Sequence, residues 1–492
     1  MRSFLIKINV MVCMIGLAGI VAFSSTTALG QLATPPIPVA PPPLKNAPPR
    51  HETSGLVLKT QGVSDGYVLV ATVGHASTYL IDCNGFVVHE WNHRRVTGMI
   101  SYLLPDGNLL HTVKNSTDDV GDTIEELTWD GEVVWEYNTD QAVHRMHHDI
   151  ERLPSGNTLV TVWERIPLDE YMAAGRDPDT VPNGEMWVCA VHEIKKTGKT
   201  SGEVVWRWSA WDHLIQDFDE KCPNYGDPAK YPNRIDVNQL RASKGEFKKL
   251  SDWLHINSVS YNPSREDEII LSSHAMGEMW VVSRKTGELV YRWGNPIRYG
   301  KGGEADQVLF TQHDPHRIAG GLRGDGNILI FNNNNPVDPG VAPYSSILEV
   351  KPPMTASGEW PMPTAVGIYP PCEVIWEYTG APGSKFYSPV VSNAQRLENG
   401  GTLVCVGAEG IIFELDAEEK RVWEYVNPIM RQGPKMKKLE KWNSMPPSGE
   451  NMVFRAYKFS SDFLAFQGKD LSPKKMLGPE DGGDGAELLT AP

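Results

Sequence analysis

Cysteine is scarce in this chain: six among 492 residues, with no CxxC pair and with wide spacings. That excludes a zinc ribbon. Positive charge is short as well: Lys and Arg number 46 against 61 Asp and Glu, a formal net charge of −15, and no long basic run relieves it. Nucleic acid and anionic membrane surfaces are therefore excluded as partners. The apolar run Ile8–Phe23 is short for a membrane span.

What is abundant points elsewhere. Fifteen Trp, 45 Gly and 37 Pro suit a turn-rich β protein, and a repeat fold can absorb the whole length as one domain. Arg2 and Lys7 ahead of the apolar run, and "ALG" at Ala28–Gly30, read as a secretory signal peptide over residues 1–30. The expected location is periplasmic or secreted, with no stable membrane span after cleavage. Residues 31–55 contain "PPIPVAPPPLKNAPPR", a Pro-rich linker. Residues 466–492 are turn-rich and are expected to form a loose C-terminal tail. Cleavage leaves Cys83, Cys189, Cys222, Cys372 and Cys405, an odd set. An oxidising compartment permits one or two disulfides among them.

Between the ends the chain repeats itself. "GFVVHEW" ends at Trp91, "GEVVWEY" holds Trp135 and "GEVVWRW" holds Trp206. "GELVYRW" ends at Trp293, "CEVIWEY" holds Trp376 and "KRVWEY" holds Trp423, six copies in all. Upstream of most lies a Gly/Asn turn leading into β-branched residues: "LLPDGNLL", "RLPSGNTLV", "LRGDGNILI" and "RLENGGTLV". Trp91 and Trp135 are 44 residues apart and Trp376 and Trp423 are 47 apart, the length of a four-stranded blade. The pattern predicts an all-β, six-bladed β-propeller over residues 56–465, with insertions between the middle blades, the clearest at Trp211–Leu250. The strand-like "NMVFRAYKF" (Asn451–Phe459) has no blade of its own and is expected to close the ring on an early blade.

Aligning the copies on their turns brings histidines into register. His148 lies nine residues before Asn157, and "FTQHDPHRI" sets His313 over His148 and Asp314 over Asp149. His255 in "WLHINSVSY" falls in the same phase, and His274 in "LSSHAMG" follows one strand later. Met99 and, approximately, Ser392 occupy this phase in other blades. Phase-equivalent residues of a propeller face one another across the axial channel, so three or four imidazoles are expected at one mouth. Asp149 and Asp314 are expected to cap a turn or hold a histidine tautomer, and His316 to stand outside the ring. Such a ring can bind a metal, supply a nucleophile flanked by donors, or bind an anion without chemistry.

The words "HHDI…LPSGN", "DWLHINSVSYN…IILSSH", "FTQHDPHRI…GNILIFNN", "FYSPVVSN" and "NMVFRAYKF" occur in one order. Together they closely resemble the bacterial arylsulfotransferase family, periplasmic enzymes that work without the nucleotide sulfate donor. The resemblance implies a propeller enzyme that moves a sulfo group from a phenolic sulfate donor to a phenol acceptor by a ping-pong route. By motif match it implies that His313 is the histidine that becomes sulfated. His255 and Asn257 match residues that hold sulfate oxygens, and His148 matches a third active-site histidine, with His147 beside it a further contact. No cofactor and no metal are implied. One position departs: where the family carries arginine after "SS", this chain has His274, which offers neither a permanent charge nor a planar fork. That departure keeps two alternatives open, a metal-dependent hydrolase or lyase and a non-catalytic ligand-binding propeller.

Overall fold

Each tryptophan-bearing word forms the fourth strand of an antiparallel unit, counted outward from the channel. The strands are Phe86–Asn92, Val133–Asn138, Ser201–Ser209, Leu289–Trp293, Glu373–Tyr378 and Arg421–Val426. The computed structural model describes residues 53–114, 123–181, 186–239, 251–339, 341–380, 386–432 and 449–478. The six units are the blades of a β-propeller. The expected signal peptide, and nearly all of the Pro-rich linker, lie outside the described residues.

The repeated aromatic has a specific task. In blades two, three, five and six, Trp135, Trp206, Trp376 and Trp423 donate through Nε1 to Ser201, Arg284, Glu419 and Cys83 of the next blade, at 3.1, 3.0, 2.8 and 2.9 Å. Tyr291 does the same in blade four, donating to the Pro370 carbonyl at 2.7 Å. In blade one His89 reaches the Trp129 carbonyl at 2.8 Å. Each ring thus buries its face between blades and satisfies its polar tip across the seam. The Gly/Asn turns join the first two strands of a blade. Gly156 and Gly326, at φ +85° and +80°, take the left-handed conformation that these turns require.

Ion pairs reinforce the seams. Arg152–Glu126 and Arg396–Glu349 at 2.5 Å, and Lys458–Glu414 at 2.6 Å, each link the inner strand of one blade to the third strand of its neighbour. The ring closes twice. Tyr457–Phe459 pairs with Tyr67–Leu69 and becomes the innermost strand of blade one, as "NMVFRAYKF" predicted. Gly55–Lys59 pairs with the outer strand of blade six.

Two expectations need correction. The segment after residue 465 is not loose throughout: Lys475 and Met476 pair with Val87 and Phe86, and Phe466 and Leu477 are buried. That pairing covers what would otherwise be an open sheet edge; residues 479–492 lie outside the described ones. Nor does a disulfide form among the described residues, where the five cysteines from Cys83 to Cys405 are free. The insertion after blade three folds on itself, with Leu214–Ile215 pairing in parallel with Ile235–Asp236.

Candidate active site

The inner strands deliver the histidines, and a local irregularity aims them. Where each inner strand meets the channel mouth, its register with the second strand slips: between Met146 and Ile150, between Ile256 and Ser258, and between His313 and His316. Of the seven non-glycine residues with positive φ among the described residues, six lie at this mouth: His148, His255, Thr311, Asp314, Val391 and Ser392. Conformations this costly persist where the surroundings enforce them, commonly at functional sites.

His148, His255, His274 and His313 form a continuous arc over blades three, four and five. Successive ring centroids are 4.6, 5.0 and 5.5 Å apart. The register read from the sequence therefore brings together all four histidines, including His274. Burial pushes His148 and His274 far below the usual imidazole range and His313 down to about 3, with the neighbouring imidazoles adding to the effect in each. These three rings are neutral near pH 7, and a neutral imidazole keeps a lone pair for chemistry.

Hydrogen bonds set which nitrogen carries that lone pair. Asn333 donates through Nδ2 to the Ser388 and Val391 carbonyls at 2.8 and 2.9 Å, which turns its Oδ1 toward His313 Nδ1 at 2.8 Å. His313 Nδ1 is then the protonated nitrogen and Nε2 holds the lone pair, which accepts a 3.2 Å bond from the Val391 amide. His255 is fixed in the same sense: its Nδ1 lies 2.5 Å from Asp252 Oδ2, leaving Nε2 for the channel. Burial would raise the Asp252 carboxyl, but His255 outweighs it and holds Asp252 below the usual range.

The remaining predicted residues are placed differently. His147 stands behind His148: it stacks on Trp163 at 4.2 Å and 16°, and its Nδ1 meets His148 Nδ1 at 2.9 Å. From there it can position His148. Asn257 donates to the Gln312 carbonyl at 2.9 Å, so one N–H remains for a ligand. Asp149 and Asp314 do not orient the arc. Both bind Arg455, whose Nη1 lies 2.9 Å from Asp149 and 3.2 Å from Asp314. Tyr102 adds a 2.9 Å hydrogen bond to Asp149. His316 stands outside the arc, 3.2 Å from Asp314.

Sequence reasoning missed Asp252, Asn333 and Arg455. The signals were present in "DWLHINS", "FNNNN" and "VFRAYKF", where an acid, an amide and a base sit beside apolar strand residues.

Among the described residues, the group of metal-ligating side chains with donor atoms within 4.8 Å of one another is His144, Glu164 and His192, not the arc. Glu164 there is already occupied by Arg207, at 2.6 Å to each oxygen, and by Ser209 and His192. Among the described residues no helix is long and apolar enough to cross a membrane.

A family model described as Arylsulfotransferase (ASST) matches residues 56–440. Among the curated proteins, no sequence matches this chain. Solved structures similar to it include a protein of unknown function from Bacteroides caccae, at 13% identity and TM-score 0.41, covering 74% of this chain and 94% of that one. A second is the β-propeller domain of Myceliophteria thermophila Cps50 (Swd1), at 12% and 0.38, covering 79% and 90%. A third is virginiamycin B lyase from Staphylococcus aureus, at 10% and 0.35, covering 76% and 84%. Likenesses this distant carry no functional argument.

Proposed function

The chain belongs to the arylsulfotransferase family, and from that premise we propose that it moves a sulfo group from a phenolic sulfate ester to a phenol, with His313 as the covalent carrier. The observation that carries this reading is the tautomer of His313: Asn333 accepts a hydrogen bond from Nδ1–H, which keeps the proton there and leaves the Nε2 lone pair at the arc of imidazoles.

In the first half-reaction Nε2 attacks sulfur, an N–S bond forms, and the S–O bond to the aryl group breaks. The electron pair leaves on a phenolate, an acceptable leaving group because phenols titrate near pKa ~10. The ring gains positive charge, which the Nδ1–H bond to Asn333 spreads. The Val391 amide, displaced from Nε2 by the new bond, becomes a donor for a sulfo oxygen, and the free N–H of Asn257 is a second. In the second half-reaction an acceptor phenol gives its proton to His255 Nε2, with Asp252 steadying the imidazolium that results. Its oxygen attacks sulfur, the N–S bond breaks, His313 regains its lone pair, and His255 returns the proton to solvent, balancing the one that the first phenolate takes up. The expected setting is the periplasm or the medium, with residues 1–30 removed.

The test is turnover of a chromogenic phenyl sulfate by the mature protein, with and without a phenol acceptor. Phenol-dependent release that survives chelator, is lost in His313→Ala, and accompanies a sulfo adduct on the His313 peptide supports the proposal. Release abolished by chelator, or none at all, overturns it.

A further inference from the structure

The imidazole arc occupies only half of the channel mouth. On blade two, register between the first two strands slips between Thr97 and Ser101, which pair with Val113 and His111. In blade three Met146 and Ile150 pair with Val162 and Val160 in the same way. Met99 therefore holds the position in blade two that His148 holds in blade three. A hydrogen bond repeats the equivalence: the amides of Ile100 and Asp149 each donate to a threonine hydroxyl on the second strand, Thr112 at 3.4 Å and Thr161 at 3.2 Å.

The surroundings of this residue are apolar. Half-buried Met99 packs against two separate hydrophobic clusters, one containing Trp163 and Leu254, the other Phe454 and Val391. Half-buried Val73, Val390 and Met452 join the second cluster. Phe454 continues this surface toward the arc, with its ring 6.1 Å from His148 and 6.4 Å from His313. One half of the mouth thus carries imidazoles and the other half-buried thioethers and branched alkyl groups, backed by the buried Phe454 ring. A flexible thioether suits an aryl face, because it adapts its shape and contacts rings favourably through sulfur.

We propose that Met99, with the half-buried Val73, Val390 and Met452 of the same apolar cluster, forms the subsite for an uncharged benzene ring, taken in turn from donor and acceptor while the imidazole arc holds the sulfo group. The assignment rests on the transferase reading. One apolar subsite serving both substrates also fits an exchange in which one phenol leaves before the next arrives. None of the four side chains carries a charge, so an anionic substituent on the ring would lose its hydration without gaining a partner.

The test uses the mature full-length protein with phenyl sulfate and 4-carboxyphenyl sulfate as donors. Titration calorimetry with 2-naphthol reports binding without turnover. Wild type should favour phenyl sulfate. Met99→Ala should raise KM for donor and acceptor about tenfold and weaken naphthol binding to a similar degree, with a smaller change in kcat. Met99→Lys should shift the ratio of kcat/KM values toward the carboxylated donor at least tenfold, and Met99→Leu should behave nearly as wild type. Naphthol affinity and both KM values within twofold of wild type in Met99→Ala and Met99→Lys would overturn the subsite. Naphthol binding that Met99→Lys abolishes, in a protein that turns over no aryl sulfate, would keep the aryl subsite and discard the sulfo transfer.

Discussion

Arg455 and Asp149 form an ion pair of 2.9 Å with both side chains buried in the axial channel. Arg455 arrives on the closing segment, whereas Asp149 follows His148 on the inner strand of blade three. Its second partner, Asp314, follows His313 on blade five. Closing the ring therefore delivers the cation that holds two inner strands beneath the arc. Burial opposes ionisation of Arg455, but the two aspartates outweigh it and hold its pKa well above the usual value.

Removing that cation should leave two carboxylates facing each other in a dry channel. Arg455→Met is expected to lower unfolding free energy by about 3–5 kcal/mol, the usual cost of breaking a buried pair. Adding Asp314→Asn should restore part of the loss, because one uncompensated charge then disappears. Urea unfolding of the three proteins measures this; equal stability of the single and double variants would contradict it.

Asn333 tests the tautomer. Asn333→Leu removes the acceptor for His313 Nδ1, so the proton is free to move to Nε2 and block the lone pair. Turnover of a phenyl sulfate should fall on the order of 100-fold, in line with losing the partner that fixes a catalytic imidazole. Two carbonyls also lose a donor, so the comparison is made well below the unfolding temperature. A sulfo adduct forming at the wild-type rate would refute the assignment.

The six outer strands were legible because an aromatic recurs at blade length, yet counting tryptophans conceals the register. His89 and Tyr291 hold the seam-crossing position in blades one and four, two residues before Trp91 and Trp293. The arc was legible for a similar reason: turns of common length fix the phase of each inner strand, so histidines in phase must meet. Arg455, Asn333 and Asp252 were not legible as site residues. Asp252 lies only three residues before its partner His255, but no repeat marks it. The partners of Asn333 and Arg455 come from other strands, and no local period links an arginine on the closing strand to aspartates on blades three and five. The closure itself followed from counting, since a strand without a blade must complete a ring.

Stability should depend on pH through the buried imidazoles. Burial above all depresses His147 and His313, both to about 3. In the unfolded chain they titrate near ~6.5, so below that pH the unfolded state binds protons that the folded state refuses. Their contribution is complete above pH ~6.5 and declines as pH falls toward 3, by about 1.4 kcal/mol per group per pH unit. The unfolding midpoint should therefore drop between about pH 6.5 and 4, and His313→Gln should flatten the slope. The chemical step has the opposite signature: with His313 still neutral, single-turnover sulfo transfer should show no acid limb near pH ~6.5 while the fold persists. A limb there in folded protein would assign the nucleophile elsewhere.

His274 stands where the resemblance to the family implies an arginine, and it predicts how the site meets an anion. Burial first, and then His255 and His313, hold its pKa far below the usual range, so the unliganded ring is neutral. A sulfate dianion beside it would favour the protonated form, so binding should take up a proton and strengthen as pH falls. His274→Arg replaces that conditional charge with a permanent one that presents a fork of donors. Inorganic sulfate should then inhibit about tenfold more tightly at pH 7, as expected for one charge-assisted hydrogen bond gained, and its pH dependence should largely vanish. Competitive inhibition constants for both proteins across pH 5–8 measure the difference. A wild-type constant independent of pH would mean that His274 stays neutral beside the anion and acts only through its N–H.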